Sequence, residues 1–135
     1  MRQLFFTSIV LLIVGCGVDP NSPEIVAERG SFHFDQGRYN EALQEFNRAL
    51  QMTPENADLY VSRAMTWTEM DQNERALEDY AKAIELNPRL GRAYQNRSVI
   101  YLRMGEFDKA LRDCQQAVDL EPDDAFCFEN RGHAF

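Results

Sequence analysis

Proline stands at 54, 88 and 122, two successive intervals of 34 residues. The words before each proline are related: "NRALQMTP", "AKAIELNP" and "QQAVDLEP". The same 34-residue interval relates Ala42, Ala76 and Ala110, then Ala49, Ala83 and Ala117, then Phe46, Tyr80 and Cys114. A fixed period of this length leaves few architectures open. Each unit must be one supersecondary element that cannot bury its apolar face alone and stacks on its neighbours. With the prolines as punctuation, the units are 23–56, 57–90 and 91–124, and a fourth begins at 125–135.

Each unit reads as two helices. In the third, Arg92 to Met104 is amphipathic, Gly105 breaks it, and Phe107 to Leu120 forms a second amphipathic run. Glycine takes a left-handed conformation at a helix end without the steric cost other residues bear. Gly37 holds this position in the first unit and Asp71, a poorer choice, in the second. Small residues fall where paired helices must approach: Gly30, Ala64, Ser98 and Gly132 on first helices, facing Ala42, Ala76 and Ala110 on second helices. Ser22 followed by Pro23 is a start signal, an N-cap and a first-turn proline.

A helix-turn-helix of 34 residues with these small residues, aromatics between them and a closing proline resembles the tetratricopeptide repeat. The resemblance spans 23–135 and implies an all-α solenoid of three full repeats plus the first helix of a fourth. Departures are mild: Val26, His33 and Cys114 stand where the family places aromatics.

One polar series keeps the same beat. Arg29, Arg63, Arg97 and Arg131 recur on the first helices, and Glu45, Asp79 and Asp113 on the second. Arg97 lies eight residues before Gly105 and Asp113 eight after, so an antiparallel hairpin places them at one level. The expectation is a structural ladder, Arg29–Glu45, Arg63–Asp79 and Arg97–Asp113. Pairing across units, Arg97 with Asp79, is equally level. A partly exposed pair of this kind is worth about 1 kcal/mol.

The N-terminus has a different character. Met1-Arg2-Gln3 precedes the apolar run "LFFTSIVLLIV" and then "IVGC". The run is short against the about 20 apolar residues of a membrane span and suits a signal peptide. A small residue before cysteine at the end of such a run resembles the lipobox of bacterial lipoproteins. That resemblance implies cleavage after residue 15, lipid on Cys16 and a short tether over 16–22. An ordinary secretory signal or a weak anchor is the other reading. An exported, membrane-anchored lipoprotein facing the periplasm follows, with Gly17 favouring the outer membrane in a Gram-negative host.

Without residues 1–15, thirteen basic residues face twenty-two acidic ones, a formal charge of −9. That excess excludes a nucleic-acid binder of the usual basic kind and a polybasic grip on lipid. Catalytic signatures are missing: no phosphate-binding glycine loop, no H-E-x-x-H and no cluster of metal ligands. No enzyme, cofactor or metal is expected.

Within the family, first helices line a concave groove that binds protein or peptide partners. The matching positions include Ser62, Met65, Arg92, Gln95, Asn96, Arg103 and Asn130, with Glu69 and Val99 on the same face. Asn96 and Asn130 recur at one register, and an amide can both donate to and accept from a peptide backbone. The set of Lys, Arg and Asn with which some members hold a partner's C-terminal carboxylate is not reproduced. The function expected is a scaffold or adaptor of the bacterial cell envelope. The alternative is the docking or sensing part of a longer enzyme or of a secretion or pilus-assembly machine. Two features stay open. Cys114 and Cys127 flank Pro122 and suit either a disulfide in an oxidising compartment or plain packing. The last helix, with Phe128 and Phe135, lacks a partner helix and offers a surface for self-association.

Overall fold

The structure, a computed structural model, describes residues 19–122. Six helices follow in order: α1 Pro23–Asp35, α2 Tyr39–Met52, α3 Ala57–Glu69, α4 Asn73–Leu86, α5 Gly91–Arg103 and α6 Phe107–Leu120. They form three antiparallel hairpins, α1–α2, α3–α4 and α5–α6. The expected lipid site at Cys16, and the fourth-unit residues Cys127, Asn130 and Arg131, lie outside the described residues.

The three hairpin turns share one hydrogen-bond scheme. Arg38 N–H donates to the His33 carbonyl at 2.9 Å and Gly37 N–H to that of Phe34 at 2.9 Å. Gln72 to Trp67 and Asp71 to Thr68 repeat it, as do Glu106 to Tyr101 and Gly105 to Leu102. This is the Schellman closure, which needs a left-handed residue just past the helix. Gly37, Asp71 and Gly105 supply it with φ of 69°, 58° and 74°. The second helices end differently. Thr53, Asn87 and Glu121 donate back to Ala49, Ala83 and Ala117. Their φ values of −134°, −140° and −135° are extended, as the proline that follows each of them requires.

The chain parts into two compact units between Pro54 and Glu55. In the first, α1 and α2 bury Val26, Gly30, Ala42, Phe46 and Ala49. Gly30 is required there: a Cβ built on it would stand 2.7 Å from the Phe46 ring. Ser22 caps α1, its Oγ accepting from Ile25 N–H at 3.4 Å, and Pro23 opens the first turn. In the second unit the core gathers Val61 and Ala64 from α3, Ala76, Tyr80 and Ala83 from α4, and Ala93 and Ile100 from α5. Trp67, Leu77 and Ile84 pack around it. Cys114 and Ala117 of α6 form a smaller cluster with Tyr94 and Val118. Cys114, one side of the possible disulfide, is thus a buried packing position, and Cys127 lies outside the described residues.

Candidate functional site

Spacing places the arginines and carboxylates of the ladder opposite one another, and the contacts form within each hairpin. Arg63 Nε and Nη2 donate to the two Asp79 oxygens at 2.8 and 2.7 Å. Arg97 does the same to Asp113 at 2.7 and 2.8 Å. Both carboxylates are under a tenth exposed, 9% and 8%. The Arg97 guanidinium also lies 5.7 Å from the centroids of both Tyr94 and Tyr101. The hydrogen-bonded carboxylate raises both guanidinium pKa values above the ordinary arginine value, against the opposing pull of burial. Arg29 meets Glu45 less well: its Nε and Nη2 share a single oxygen at 3.3 and 3.0 Å. These pairs lock hairpins and leave no group over for a ligand.

The first-helix face of the second unit is the part that can receive one. Met65 and Glu69 of α3 and Asn96, Val99 and Arg103 of α5 border an open concavity of about 180 Å³, with Thr68 and Tyr80 completing its wall. Met65 is 37% exposed and offers an apolar, deformable contact. Asn96 contributes an amide. Arg103 and Glu69 are exposed, and neither has an ion pair among the described residues. The concavity therefore combines an apolar floor with one free charge of each sign. Tyr80 forms its back: burial pushes its phenol up to about 12, opposed by a hydrogen bond with the Thr68 side chain.

Other expected groove residues are committed elsewhere. The Arg92 guanidinium pairs with the Asp58 carboxylate, bridging α5 to α3. Ser62 Oγ donates to the Asp58 carbonyl at 3.0 Å, an internal helix bond. Gln95 lies half-buried on α5, outside the concavity's lining. Of the expected set, the structure brings together Met65, Asn96 and Arg103. Tyr80 and Thr68 join them unforeseen. Tyr80 reads from its 34-residue spacing as core, which it is, and only the packed geometry reveals that its buried ring backs the concavity. Among the described residues no group of three or more His, Cys, Asp or Glu could hold a metal. No described helix is long and apolar enough to cross a membrane.

A family described as "TPR repeat" matches residues 30–65. Two described as "Tetratricopeptide repeat" match residues 57–90 and 91–124, the same boundaries the prolines mark. A comparison with curated proteins finds no match. Among solved structures, the first TPR of Spaghetti (RPAP3) bound to the HSP90 peptide SRMEEVD is similar, at 24% identity and TM-score 0.81, covering 87% of this chain and 93% of that one. The second TPR domain of human RPAP3, in complex with the HSP70 peptide SGPTIEEVD, shares 25% identity at TM-score 0.76, covering 84% and 98%. MamA shares 25% at TM-score 0.79, covering 86% and 68%. Three repeats in phase, six helices in three closed hairpins and these likenesses agree, and the chain belongs to the tetratricopeptide repeat family, whose helix pairs are protein–protein interaction scaffolds.

Proposed function

We propose that this chain is an adaptor of a bacterial cell envelope, anchored by lipid on Cys16, which holds an extended segment of a partner protein on the α3–α5 face. The observation that carries the reading is the convergence of Met65, Asn96 and Arg103 on one open concavity. Its volume suits one apolar side chain of a partner. The Asn96 amide can bond the partner's backbone in both senses, and Arg103 and Glu69 set polarity at the rim. The peptide complexes of the RPAP3 domains support peptide binding on this fold. A C-terminal carboxylate is not the expected ligand, because Arg103 is the concavity's one cation.

The envelope placement rests on the sequence alone, on "IVGC" at the end of an apolar run. Self-association through the unpaired last helix expected in the fourth unit, 125–135, belongs to the same proposal, with the neighbouring α6 as an adjoining surface. Phe107 and Leu111 on α6 are 58% and 40% exposed, and Leu111 repeats at 34 residues the register of Leu77, which packs in the core.

The test is a pull-down from membranes with the full chain, comparing wild type with the double variant Asn96→Ala, Arg103→Ala. Loss of a specific partner in the variant, with unchanged folding, supports the reading. Equal capture by both removes the site. Radiolabelled fatty acid incorporated in wild type and absent in Cys16→Ser supports the anchor. Equal labelling of both removes it.

A further inference from the structure

The residues just ahead of α1 are held down. The Asp19 carboxylate accepts from Asn21 N–H at 2.8 Å, and the Asp19 carbonyl accepts from Ser22 N–H at 3.0 Å. Those two bonds fold the strand on itself. Two more fasten it to the hairpin. Arg29 Nη1 donates to the Pro20 carbonyl at 3.3 Å, and Arg48 Nη2 on α2 donates to Asn21 Oδ1 at 2.8 Å. Pro20 therefore belongs to the folded unit although it precedes the first helix.

We propose that the α1–α2 hairpin is leashed against a lipid bilayer surface by its Pro20 end. The inference rests on the lipid at Cys16 in the function proposed above and specifies what that lipid does to the fold. From Cys16 to Pro20 the chain has four Cα steps. Fully extended they reach about 14 Å. A flexible tether of the length that lets a domain roam is absent, so this end of the hairpin stays at the headgroup layer. The end that faces down is the one opposite the Gly37 turn, where α1 begins and α2 stops. It carries Met52, 44% exposed on the last turn of α2, an apolar side chain suited to the headgroup boundary. Charge does not hold it there: the nearby cation, Arg48, is engaged by Asn21, and the chain on either side of Asn21 carries the acidic Asp19 and Glu24. The leash and the two arginine bonds set the geometry.

The experiment uses the lipidated full chain in vesicles of phosphatidylethanolamine and phosphatidylglycerol carrying a nickel-chelating headgroup lipid. A single nitroxide amino acid replaces either Met52 or Gln36, at opposite ends of a hairpin whose 13-residue α1 is about 20 Å long. Relaxation enhancement by the nickel lipid is expected to be at least severalfold larger at 52 than at 36. Inserting ten Gly/Ser residues between Val18 and Asp19 is expected to cut the enhancement at 52 severalfold, and Asn21→Ala with Arg48→Ala to cut it in part. Equal enhancement at the two positions, or no change on insertion, overturns the leash. If the cell-made chain proves unlipidated, the envelope reading fails separately. A maleimide lipid coupled to Cys16 of residues 16–135 carrying Cys114→Ser and Cys127→Ser then supplies the anchor, and the same two-position comparison still decides the leash.

Discussion

The first and third hairpins solve one packing problem with opposite means. In the first, Gly30 faces Phe46: the helix surface is emptied so that a ring can fill it. In the third, Ser98 and Cys114 hold the same two positions, both buried and both small. Their ion pairs diverge in the other direction. Glu45 is 22% exposed and offers Arg29 one oxygen, whereas Asp113 is 8% exposed and offers Arg97 two. The longer glutamate reaches past the level where a bidentate fork closes, and Arg29 spends part of its fork on Pro20. The middle hairpin, which holds both the buried Tyr80 ring and the two-oxygen Arg63–Asp79 fork, lies between these extremes, so ring and ion pair vary independently from repeat to repeat. The ring-filled hairpin leans on burial, and the ring-poor one on its arginine.

The largest effect should come from the third pair. Asp113→Ala leaves the half-buried Arg97 without its carboxylate and is expected to lower unfolding free energy by about 2–3 kcal/mol. Glu45→Ala should cost under about 1 kcal/mol, since its pair is looser and wetter. Urea unfolding of the two variants measures the gap; equal losses would erase the distinction between the hairpins. The general figure of about 1 kcal/mol for a partly exposed pair suits Arg29–Glu45. It understates the two aspartate pairs, whose burial spacing alone does not reveal.

A comparable loss is expected at high pH through Tyr80, the ring of the middle hairpin. Its folded pKa of about 12 stands above the ordinary 10, so the proton is held more tightly in the fold. Stability is then fully present below pH 10 and falls by about 2–3 kcal/mol as pH rises to 12. Ultraviolet titration should show one tyrosine ionising late and together with unfolding. Tyr80→Phe should flatten that part of the pH dependence.

Smaller again is Gly30→Ala. Alanine is the better helix former by about 1 kcal/mol, but crowding a packed ring costs about 1–3 kcal/mol. A net loss of about 1 kcal/mol is expected, relieved when Phe46→Leu is added. Ser98→Ala at the equivalent place should be near neutral. The smallest change sits at the turns. Asp71→Gly removes a left-handed strain that Gly37 and Gly105 do not carry and should raise stability by about 1 kcal/mol. Thermal melts of the two glycine variants are sufficient to read both signs.

Much of this was legible in the chain. The period gives the hairpins and their partition. The turn glycines give the closures. The eight-residue symmetry about Gly105 brings Arg97 to Asp113, although Asp79 is level by the same count; the choice needed three dimensions, because level says nothing of which neighbour's side chain points inward. The groove was legible only as a face. Arg92 stands on it, but Asp58, one repeat earlier at the same register, takes its charge. Ser62 turns its hydroxyl back to its own helix. Thr68 and Tyr80 enter because the packing of α4 behind α3 and α5 sets a buried ring and a hydroxyl at the back of the face, which a register count does not reach.

The α3–α5 concavity is the face on which a partner is expected to bind. A photoreactive benzoylphenylalanine at position 65, on the bordering Met65, should give a partner adduct in cells that disappears with Asn96→Ala and Arg103→Ala, while the same probe at the exposed Glu78 on α4 gives none. Identical adducts from 65 and 78, or an adduct at 65 that survives both substitutions, would contradict it.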